Sequence, residues 1–280
     1  MIILRNSEEL KTWIERHRSS GKTIGFVPTM GALHEGHISL VRQSKLENDV
    51  TIVSVFVNPT QFNNPEDLKK YPRTEEADGQ LLEQAGVEVV FFPTVETIYP
   101  EGQKSTHFNF QGIENQMEGK FRPGHFDGVA TVVQKFFEIV QPDRAYFGEK
   151  DFQQLRIIQE LVKQKRLPLQ IVPVAIMRES DGLAMSSRNT RLSQDMRKEA
   201  PNIYQILQKA KVFLEDHSVE ETKEFVSEAF SKTKLKLEYF EIADESTLES
   251  VSTNSDSRKI RGFIAVFADD IRLIDNISLN

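Results

Sequence analysis

The sequence contains no cysteine among its 280 residues. This absence excludes disulfides, thiolate nucleophiles, cysteine-ligated zinc and iron–sulfur clusters. Any catalytic chemistry must therefore use oxygen and nitrogen groups or a bound metal.

Positive charge and long apolar runs are also scarce. Lys and Arg total 35 against 42 Asp and Glu, a formal net charge of −7, so the chain has no overall cationic field for a nucleic-acid backbone or an anionic membrane. No apolar run approaches the ~18–20 residues that cross a bilayer, and the run at residues 1–6 is too short for a secretory h-region. We expect a cytoplasmic protein with neither a nucleic-acid nor a membrane partner.

The rest of the composition is that of a globular protein. Hydrophobic residues make up 39% and charged residues 28%, with 14 Gly and 11 Pro, which argues against disorder, collagen-like repeats and coiled coils. The length exceeds the roughly 100–200 residues of a usual domain and predicts one large domain or two unequal ones.

Short apolar runs alternate with amphipathic stretches in the first part of the chain. The runs predict buried strands at 23–28, 51–57, 87–92, 144–148 and 169–176. Apolar residues at three- and four-residue intervals predict helices at 37–47, 74–85, 127–140 and 152–165. This alternation predicts an α/β fold with a doubly wound parallel sheet in residues 1–176. Ligands of such sheets bind beyond the carboxyl ends of the strands.

The pattern changes after residue 176. Helices are predicted at 193–216 and 219–232, strands at 235–242 and 262–267, and a charged, serine-rich loop that could contain a short helix at 244–259. We expect residues 177–280 to form a smaller α+β domain.

The first predicted strand leads into a loop with two glycines and two histidines. Gly31 and Gly36 permit close backbone approach to a ligand, and the free N–H groups of a helix start favour anions. His34 and His37 could both donate to phosphate oxygens, although a pair of surface or capping histidines is the alternative. A zinc-protease motif is excluded, because it needs two residues between Glu35 and the second histidine.

Amides follow the second predicted strand. Asn58 and Gln61 can recognise hydroxyl and carboxylate groups without adding charge, and Gln154, near the end of the fourth strand, lies at the same edge. The alternative is a turn-forming Asn-Pro with an incidental Gln.

Cationic groups follow the fourth and fifth strands. Lys150 places a compact charge at a strand end, and Arg188, next to Ser186 and Ser187, can bind two oxygens of a polyphosphate. The alternatives are a solvated Lys–Asp pair and an ordinary capped turn. Together with the two histidines, these groups make a nucleoside triphosphate the simplest ligand.

Six ordered segments together resemble the pantothenate synthetase family of the HxGH-type nucleotidyltransferases. They are PTMGALHEGH (28–37), FVNPTQF (56–62), YPRT (71–74), FRPGHFDGV (121–129), FGEKDFQQL (147–155) and DGLAMSSRN (181–189). The resemblance implies a pantoate–β-alanine ligase that condenses (R)-pantoate with β-alanine, using ATP, to pantothenate, AMP and pyrophosphate through a pantoyl-adenylate. It also implies a homodimer, a Rossmann-like domain at 1–176 and a lid-like domain at 177–280. We further expect Mg²⁺ on the triphosphate, as in most ATP chemistry.

The resemblance also implies roles for individual residues. The catalytic set is His37, the proton donor, with His34, Lys150 and Arg188. The ATP-binding set is Met30, Gly31, Ala32, Leu33, His34, Glu35, Gly36, His37, Gly148, Glu149, Lys150, Asp151, Met177, Met185, Ser186, Ser187 and Arg188. Gln61, Gln154 and Asn58 are the residues for pantoate and β-alanine.

The sequence departs from the family pattern at a few positions. Thr60 stands where Met or Leu is common, and 63–65 replaces a Gly-containing stretch, which affects local packing more than reaction type. Asp78 lies where relatives carry acidic residues near magnesium, but Ala77 replaces a second carboxylate, so metal ligands are left unassigned.

Two other functions are compatible with the same nucleotide pocket. In a nucleotidylyltransferase, a phosphate monoester would attack ATP. Binding of that phosphate would need basic residues beside Gln61, which the sequence lacks nearby. A non-catalytic nucleotide sensor would not need Lys150 and the paired histidines.

Overall fold

The computed structural model describes residues 1–253 and 258–280. Its strands are β1 Ile2–Leu4, β2 Ile24–Thr29, β3 Val50–Val55, β4 Val89–Phe91, β5 Arg144–Gly148, β6 Gln170–Val174, β7 Lys236–Asp244, β8 Ile260–Ala268 and β9 Ile271–Ser278. Its α-helices are α1 Ser7–Ser19, α2 Glu35–Glu47, α3 Pro65–Lys70, α4 Glu75–Gln84, α5 Val95–Ile98, α6 Met117–Phe121, α7 His125–Val140, α8 Phe152–Lys165, α9 Gln194–Glu199, α10 Asn202–Phe213 and α11 Val219–Ser231.

Strands β1 to β6 form one parallel sheet in the order β1-β4-β3-β2-β5-β6. The chain builds outwards from β2 through β3 to β4, then returns to the other side of β2 for β5 and β6. The strand order therefore reverses between β2 and β5. In open α/β sheets this reversal opens a crevice for ligands at the carboxyl ends of the two strands.

Helices cover both faces of this sheet. On one face α1, α7 and α8 enclose a core that includes Phe26, Phe136 and Leu161, while α2 covers the other face over Val41 and Val53. The central strands are buried on both sides, which is why they read as continuous apolar runs. The predicted doubly wound α/β sheet is confirmed.

The C-terminal part contains an antiparallel sheet in the order β7-β8-β9, with α10 and α11 packed on it around a separate core. The predicted smaller α+β unit is confirmed. This sheet also packs against the first core, where the rings of Phe152 and Phe263 lie 5.8 Å apart.

Two of the predicted elements, 144–148 and 152–165, match the observed bounds, and most of the others shift by one to three residues. The single helix predicted at 193–216 is wrong. It is split into α9 and α10, because Pro201 lacks an N–H group and precedes a new helix start. Strands β1 and β9 and helices α1, α3, α5 and α6 were not predicted. Strand β1 has only three residues, β9 mixes polar with apolar residues, and α3, α5 and α6 have six, four and five residues, too few to show a helical period.

The loop predicted at 244–259 lies between β7 and β8. Its described parts, 245–253 and 258–259, contain turns and one isolated bridge from Ala243 to Ser250, with no helix. Residues 254–257 of that prediction lie outside the described residues. Among the described residues, no helix is long and apolar enough to pass through a bilayer.

Candidate active site

A cavity of about 230 Å³ lies at the strand reversal, where the loops after β2 and β5 meet. Of the predicted site residues it is lined by Met30, His34, Gly36, His37, Asn58, Gln61, Gly148, Lys150, Asp151, Gln154, Met177, Met185, Ser186, Ser187 and Arg188. The structure therefore brings together residues from five separate parts of the chain.

The loop after β2 is held by a carboxylate from α4. Asp78, only 2% exposed, accepts hydrogen bonds from the backbone N–H groups of Ala32 at 3.0 Å and Leu33 at 2.7 Å. Ala32 has a φ of +49°, a left-handed conformation that costs free energy in a residue with a Cβ and needs such support. Both carboxylate oxygens of Asp78 are thus occupied by the loop, and the Thr74 hydroxyl also donates to one of them.

The two histidines cap the start of α2 reciprocally. His34 Nδ1 accepts from the Gly36 N–H at 3.1 Å, and His37 Nδ1 accepts from the His34 N–H at 3.3 Å. A neutral imidazole that accepts at Nδ1 carries its proton on Nε2, so each ring keeps one N–H donor for a ligand. A Cβ at Gly36 would lie 2.8 Å from the His34 ring, so a larger residue here would have to displace that ring.

Both rings are neutral at pH 7. Burial, followed by the Lys150 charge, lowers the pKa of His34 to about 4. Burial, followed by the neighbouring His34 and then Lys150, lowers the pKa of His37 to about 3. The pair therefore provides two neutral N–H donors beside one ammonium group.

Lys150 follows β5 in a short 3₁₀ turn, residues Glu149–Asp151. Its side chain is 19% exposed and faces the histidines across the cavity; its ammonium lies 3.9 Å from a carboxylate oxygen of Asp151. A positive charge in this position suits the oxygens of a phosphate chain.

The amide end of the cavity is ordered by Asn58. Its Nδ2 donates to Gln61 Oε1 at 3.0 Å and to the Gly128 carbonyl at 3.2 Å, and its Oδ1 accepts from the Tyr99 hydroxyl at 2.7 Å. The Gln61 amide is thereby oriented with its Nε2 towards Met30 Sδ at 2.9 Å. Asn58 is 1% exposed, and one of its hydrogen bonds holds the Gln61 amide.

A cation does lie beside Gln61. Arg122 is 3.5 Å from the Gln61 carbonyl oxygen and 3.6 Å from a Glu118 carboxylate oxygen. The expectation that Gln61 has no basic neighbour is therefore wrong, because the start of α7 returns the chain to this point: the His125 ring also bonds the Gln61 carbonyl at 2.8 Å.

The segment after β6 lines the same cavity as the histidines through Met185, Ser186, Ser187 and Arg188. Ser186 caps a 3₁₀ turn by accepting from the Arg188 N–H at 3.3 Å, and the Tyr71 hydroxyl lies 3.5 Å from Ser187 Oγ. The Arg188 guanidinium is paired with Asp67 of α3 at 3.1 Å. Two serine hydroxyls and one arginine thus line the same cavity as Lys150.

Comparison with known proteins shows which family the chain belongs to. A family model described as pantoate-beta-alanine ligase matches residues 2–278. A pantothenate synthetase of Flavobacterium psychrophilum is 52% identical over the whole of both chains, and one of Bacteroides thetaiotaomicron is 52% identical over 99% of this chain and 98% of its own. The chain belongs to the pantoate–β-alanine ligase family.

Solved structures of this family have the same fold. A pantothenate synthetase from Thermus thermophilus superposes with a TM-score of 0.92 at 41% identity, covering 100% of this chain and 99% of its own. A pantoate–β-alanine ligase from Francisella tularensis, complexed with β-γ ATP and β-alanine, superposes with a TM-score of 0.83 at 39% identity, covering 100% and 98%. The resemblance to the family, the Rossmann-like α/β fold and the expectation of an enzyme are confirmed.

Some residues predicted from the family resemblance do not line the cavity: Gly31, Ala32, Leu33, Glu35 and Glu149. They belong to the backbone turns that position the lining residues. Asp78, Tyr71, Arg122 and Tyr99 were not assigned, although each contacts a site residue. Tyr71 and Arg122 stand inside the quoted family motifs, which was the available signal; Tyr99 reaches Asn58 only through the fold.

Proposed function

We propose that this protein condenses (R)-pantoate with β-alanine, using ATP, to form pantothenate, AMP and pyrophosphate through a pantoyl-adenylate. One observation carries the proposal: His34, His37, Lys150, Gln61 and Gln154 share a single cavity at the sheet's strand reversal. Membership of the ligase family supports the same reaction. Cation and N–H donors at one end suit phosphates, and amides at the other suit a small hydroxy acid.

The reaction needs an activated carboxyl group, because a carboxylate oxygen is a poor leaving group. A pantoate carboxylate oxygen attacks the α-phosphorus of ATP, the bond to the β-phosphate breaks, and pyrophosphate leaves with that electron pair. The β-alanine amine then attacks the acyl carbon, and AMP leaves. The protein contributes by positioning the reactants and stabilising the charge that spreads over the phosphates.

The phosphate groups are proposed to lie between the histidines and Lys150. The Nε2–H groups of His34 and His37 donate to phosphate oxygens as neutral donors, and Lys150 supplies the nearest charge. Arg188 and the hydroxyls of Ser186 and Ser187 would bind the far end of the triphosphate. The loop 30–37, the turn 148–151, Met177 near the adenine and Met185 complete the proposed ATP site.

Pantoate is proposed to bind at the amide end. Gln61 is held by Asn58, whereas no hydrogen bond to the Gln154 amide is found within residues 1–253 and 258–280, so that amide is available to the substrate. The lining between them is apolar, with Val129, Val132 and Phe136, which suits the methyl-bearing carbon skeleton of pantoate.

Magnesium is proposed to arrive on the triphosphate. The described residues contain no group of three or more His, Asp or Glu side chains placed to ligate a metal, and the carboxylate of Asp78 is occupied by backbone N–H groups. This donor set fits a cation that keeps water and phosphate oxygens as its ligands. Magnesium would neutralise phosphate charge, while His34, His37, Lys150 and Arg188 would orient the triphosphate.

The division into a Rossmann-like domain at 1–176 and a lid-like domain at 177–280, the homodimer and the cytoplasmic location stay predictions. The two separate apolar cores support the division. Light scattering of the purified protein measures the dimer directly; a mass of one chain would contradict it.

The test is pantoate-dependent exchange of labelled pyrophosphate into ATP in the absence of β-alanine, followed by AMP release when β-alanine is added. Lys150→Ala should keep the fold and lower exchange by roughly 10²–10³, the usual cost of one charge-stabilising donor. Gln154→Ala should weaken pantoate binding more than ATP binding. Exchange that ignores pantoate would indicate a nucleotidylyltransferase, and ATP binding without exchange would indicate a sensor.

A further inference from the structure

The C-terminal sheet contacts the backbone of Lys150 through one side chain. Asn276 of β9, 2% exposed, donates from Nδ2 to the carbonyl oxygens of Glu149 and Lys150, each at 2.9 Å. Both hydrogens of one amide group therefore bond the short turn that carries the lysine into the cavity.

The orientation of this amide is itself fixed. Asn276 Oδ1 accepts from Arg261 Nη1 of β8 at 2.6 Å, and Arg261 Nε donates to Glu245 at 2.8 Å. The Arg261 guanidinium also stacks on the Phe152 ring, 4.1 Å from its centre, at the start of α8. Because the oxygen end is held by a guanidinium, the N–H₂ end must point to the turn 149–151.

Lysine is long and flexible, so the position of its ammonium depends on how firmly its backbone is held. The Lys150 ammonium makes only a distant ion pair with Asp151, at 3.9 Å, within the described part of the chain. Its placement against the two histidines thus depends on the turn rather than on partners of the side chain. A displacement of about 1 Å in a reacting group can cost 10²-fold in rate.

We propose that Asn276 is a positioning residue for Lys150: through its two hydrogen bonds to the turn 149–151, the C-terminal sheet places the ammonium against the phosphates. The inference rests on the proposed role of Lys150 in ATP binding and adenylate formation. On this inference, the C-terminal sheet helps to position a reacting group in the cavity of the parallel sheet.

Other side chains besides Asn276 also join the C-terminal sheet to the N-terminal part of the chain. Both carboxylate oxygens of Glu118, in α6, accept hydrogen bonds from Arg272 of β9, at 2.7 and 2.8 Å. Glu118 also accepts a hydrogen bond from the Tyr239 hydroxyl of β7 at 2.9 Å. None of these three hydrogen bonds is made to the turn 149–151. Their presence makes it possible to separate positioning from docking by mutation.

The test compares Asn276→Ala and Asn276→Asp with Tyr239→Phe, which removes a hydrogen bond between the C-terminal sheet and α6 but none made to the turn 149–151. Asn276→Asp keeps the acceptor for Arg261 but places a carboxylate against two carbonyl oxygens. We expect both Asn276 variants to lower pantoate-dependent pyrophosphate exchange by roughly ten- to hundredfold. Tyr239→Phe should stay within about twofold, and melting temperatures monitor the fold; Asn276→Ala, which buries no charge, covers the case where Asn276→Asp unfolds.

A double-mutant cycle on ATP affinity, measured by calorimetry, shows whether the effect passes through Lys150. Asn276→Ala should weaken ATP binding in the wild-type background and have no further effect in Lys150→Ala. Equal weakening in both backgrounds, or Asn276 variants that behave like Tyr239→Phe, would overturn the inference while leaving the proposed function intact. If Lys150→Ala alone left exchange and ATP affinity unchanged, the proposed role of Lys150 would fail, and the inference with it.

Discussion

Asp67 holds Arg188 by an ion pair of 3.1 Å and lies 3.6 Å from Arg191, so one carboxylate of α3 faces two guanidinium groups of the segment after β6. Arg188 is the arginine that we propose for the triphosphate. A carboxylate oxygen therefore occupies a position that a phosphate oxygen could take, and α3 is connected to the segment 185–191 without a ligand.

We predict that Asp67→Asn will tighten ATP binding, because the phosphate no longer competes with a carboxylate for Arg188. The pair is about 30% exposed, and exposed pairs are worth roughly 0.2–1 kcal/mol, so the KM for ATP should fall by up to about fivefold. The measurement is KM for ATP at low and high salt, with the difference shrinking at high salt.

Asp270→Asn is the matched control, because Asp270 lies 3.9 Å from Arg191 and is 75% exposed. It should leave the KM for ATP unchanged. A KM that rises in Asp67→Asn would instead mean that Asp67 holds Arg188 in its productive position.

Three histidines of lowered pKa predict an acid-labile fold. The pKa is about 4 for His34, about 3 for His37 and about 4 for His125, in each case mainly because of burial. An unfolded histidine titrates near 6.5, so below that pH the unfolded chain takes up protons that the folded chain does not. Stability should fall as the pH drops from about 6.5 towards 4, each residue adding up to about 1.4 kcal/mol per pH unit.

Urea unfolding of the protein and of His37→Gln between pH 7.5 and 4.5 measures this slope. The variant lacks one of the three titrations and should show a shallower decline. Parallel declines would contradict the neutral state of His37. The exchange reaction, which uses the neutral forms, should show no loss centred near pH 6.5.

The hydrogen bonds of Asp78 predict that the shape of the loop after β2 depends on helix α4. In Asp78→Asn, one acceptor is replaced by an N–H₂ group that faces the N–H of Ala32 or Leu33, leaving a buried donor unpaired. We expect a loss of about 1–3 kcal/mol in the free energy of unfolding and weaker ATP binding. Thr74→Val removes only the hydroxyl that donates to Asp78 and should stay close to wild type. An Asp78→Asn protein with unchanged ATP affinity would show that the loop holds its shape without the carboxylate.

The backbone of Thr60 and Gln61 lies so close to Gly128 of α7 that no side chain fits at this position. A Cβ at this position would lie 2.4 Å from the Thr60 carbonyl oxygen and 2.8 Å from Gln61 Cα, both backbone atoms. Gly128→Ala must therefore push the turn of Gln61 away from α7, and the affinity for pantoate should fall at least tenfold while ATP affinity changes less.

Gly79→Ala is the control, since it also lies in a helix but has open space around its Cβ. It should preserve pantoate affinity and leave stability equal or slightly higher. If Gly128→Ala bound pantoate normally, Gln61 would not be the residue that recognises it.

The amino-acid sequence alone determined the fold class and most of the lining of the cavity. The strand 144–148 and the helix 152–165 were predicted at their observed bounds, because a short apolar run marks the strand and apolar residues at three- and four-residue intervals mark the helix. The residues after β2 and β5 could be placed together, since the carboxyl ends of neighbouring parallel strands meet at one edge.

The tertiary structure decided how those residues are held. Asp78 lies 46 residues from Ala32, and Asn276 lies 126 residues from Lys150, so no local pattern links either pair. The neutral state of the histidines likewise depends on burial beneath several segments of the chain, which a side chain's identity does not reveal. Periodicity records which face of an element is buried, whereas a long-range hydrogen bond depends on the final positions of two elements that the sequence describes separately.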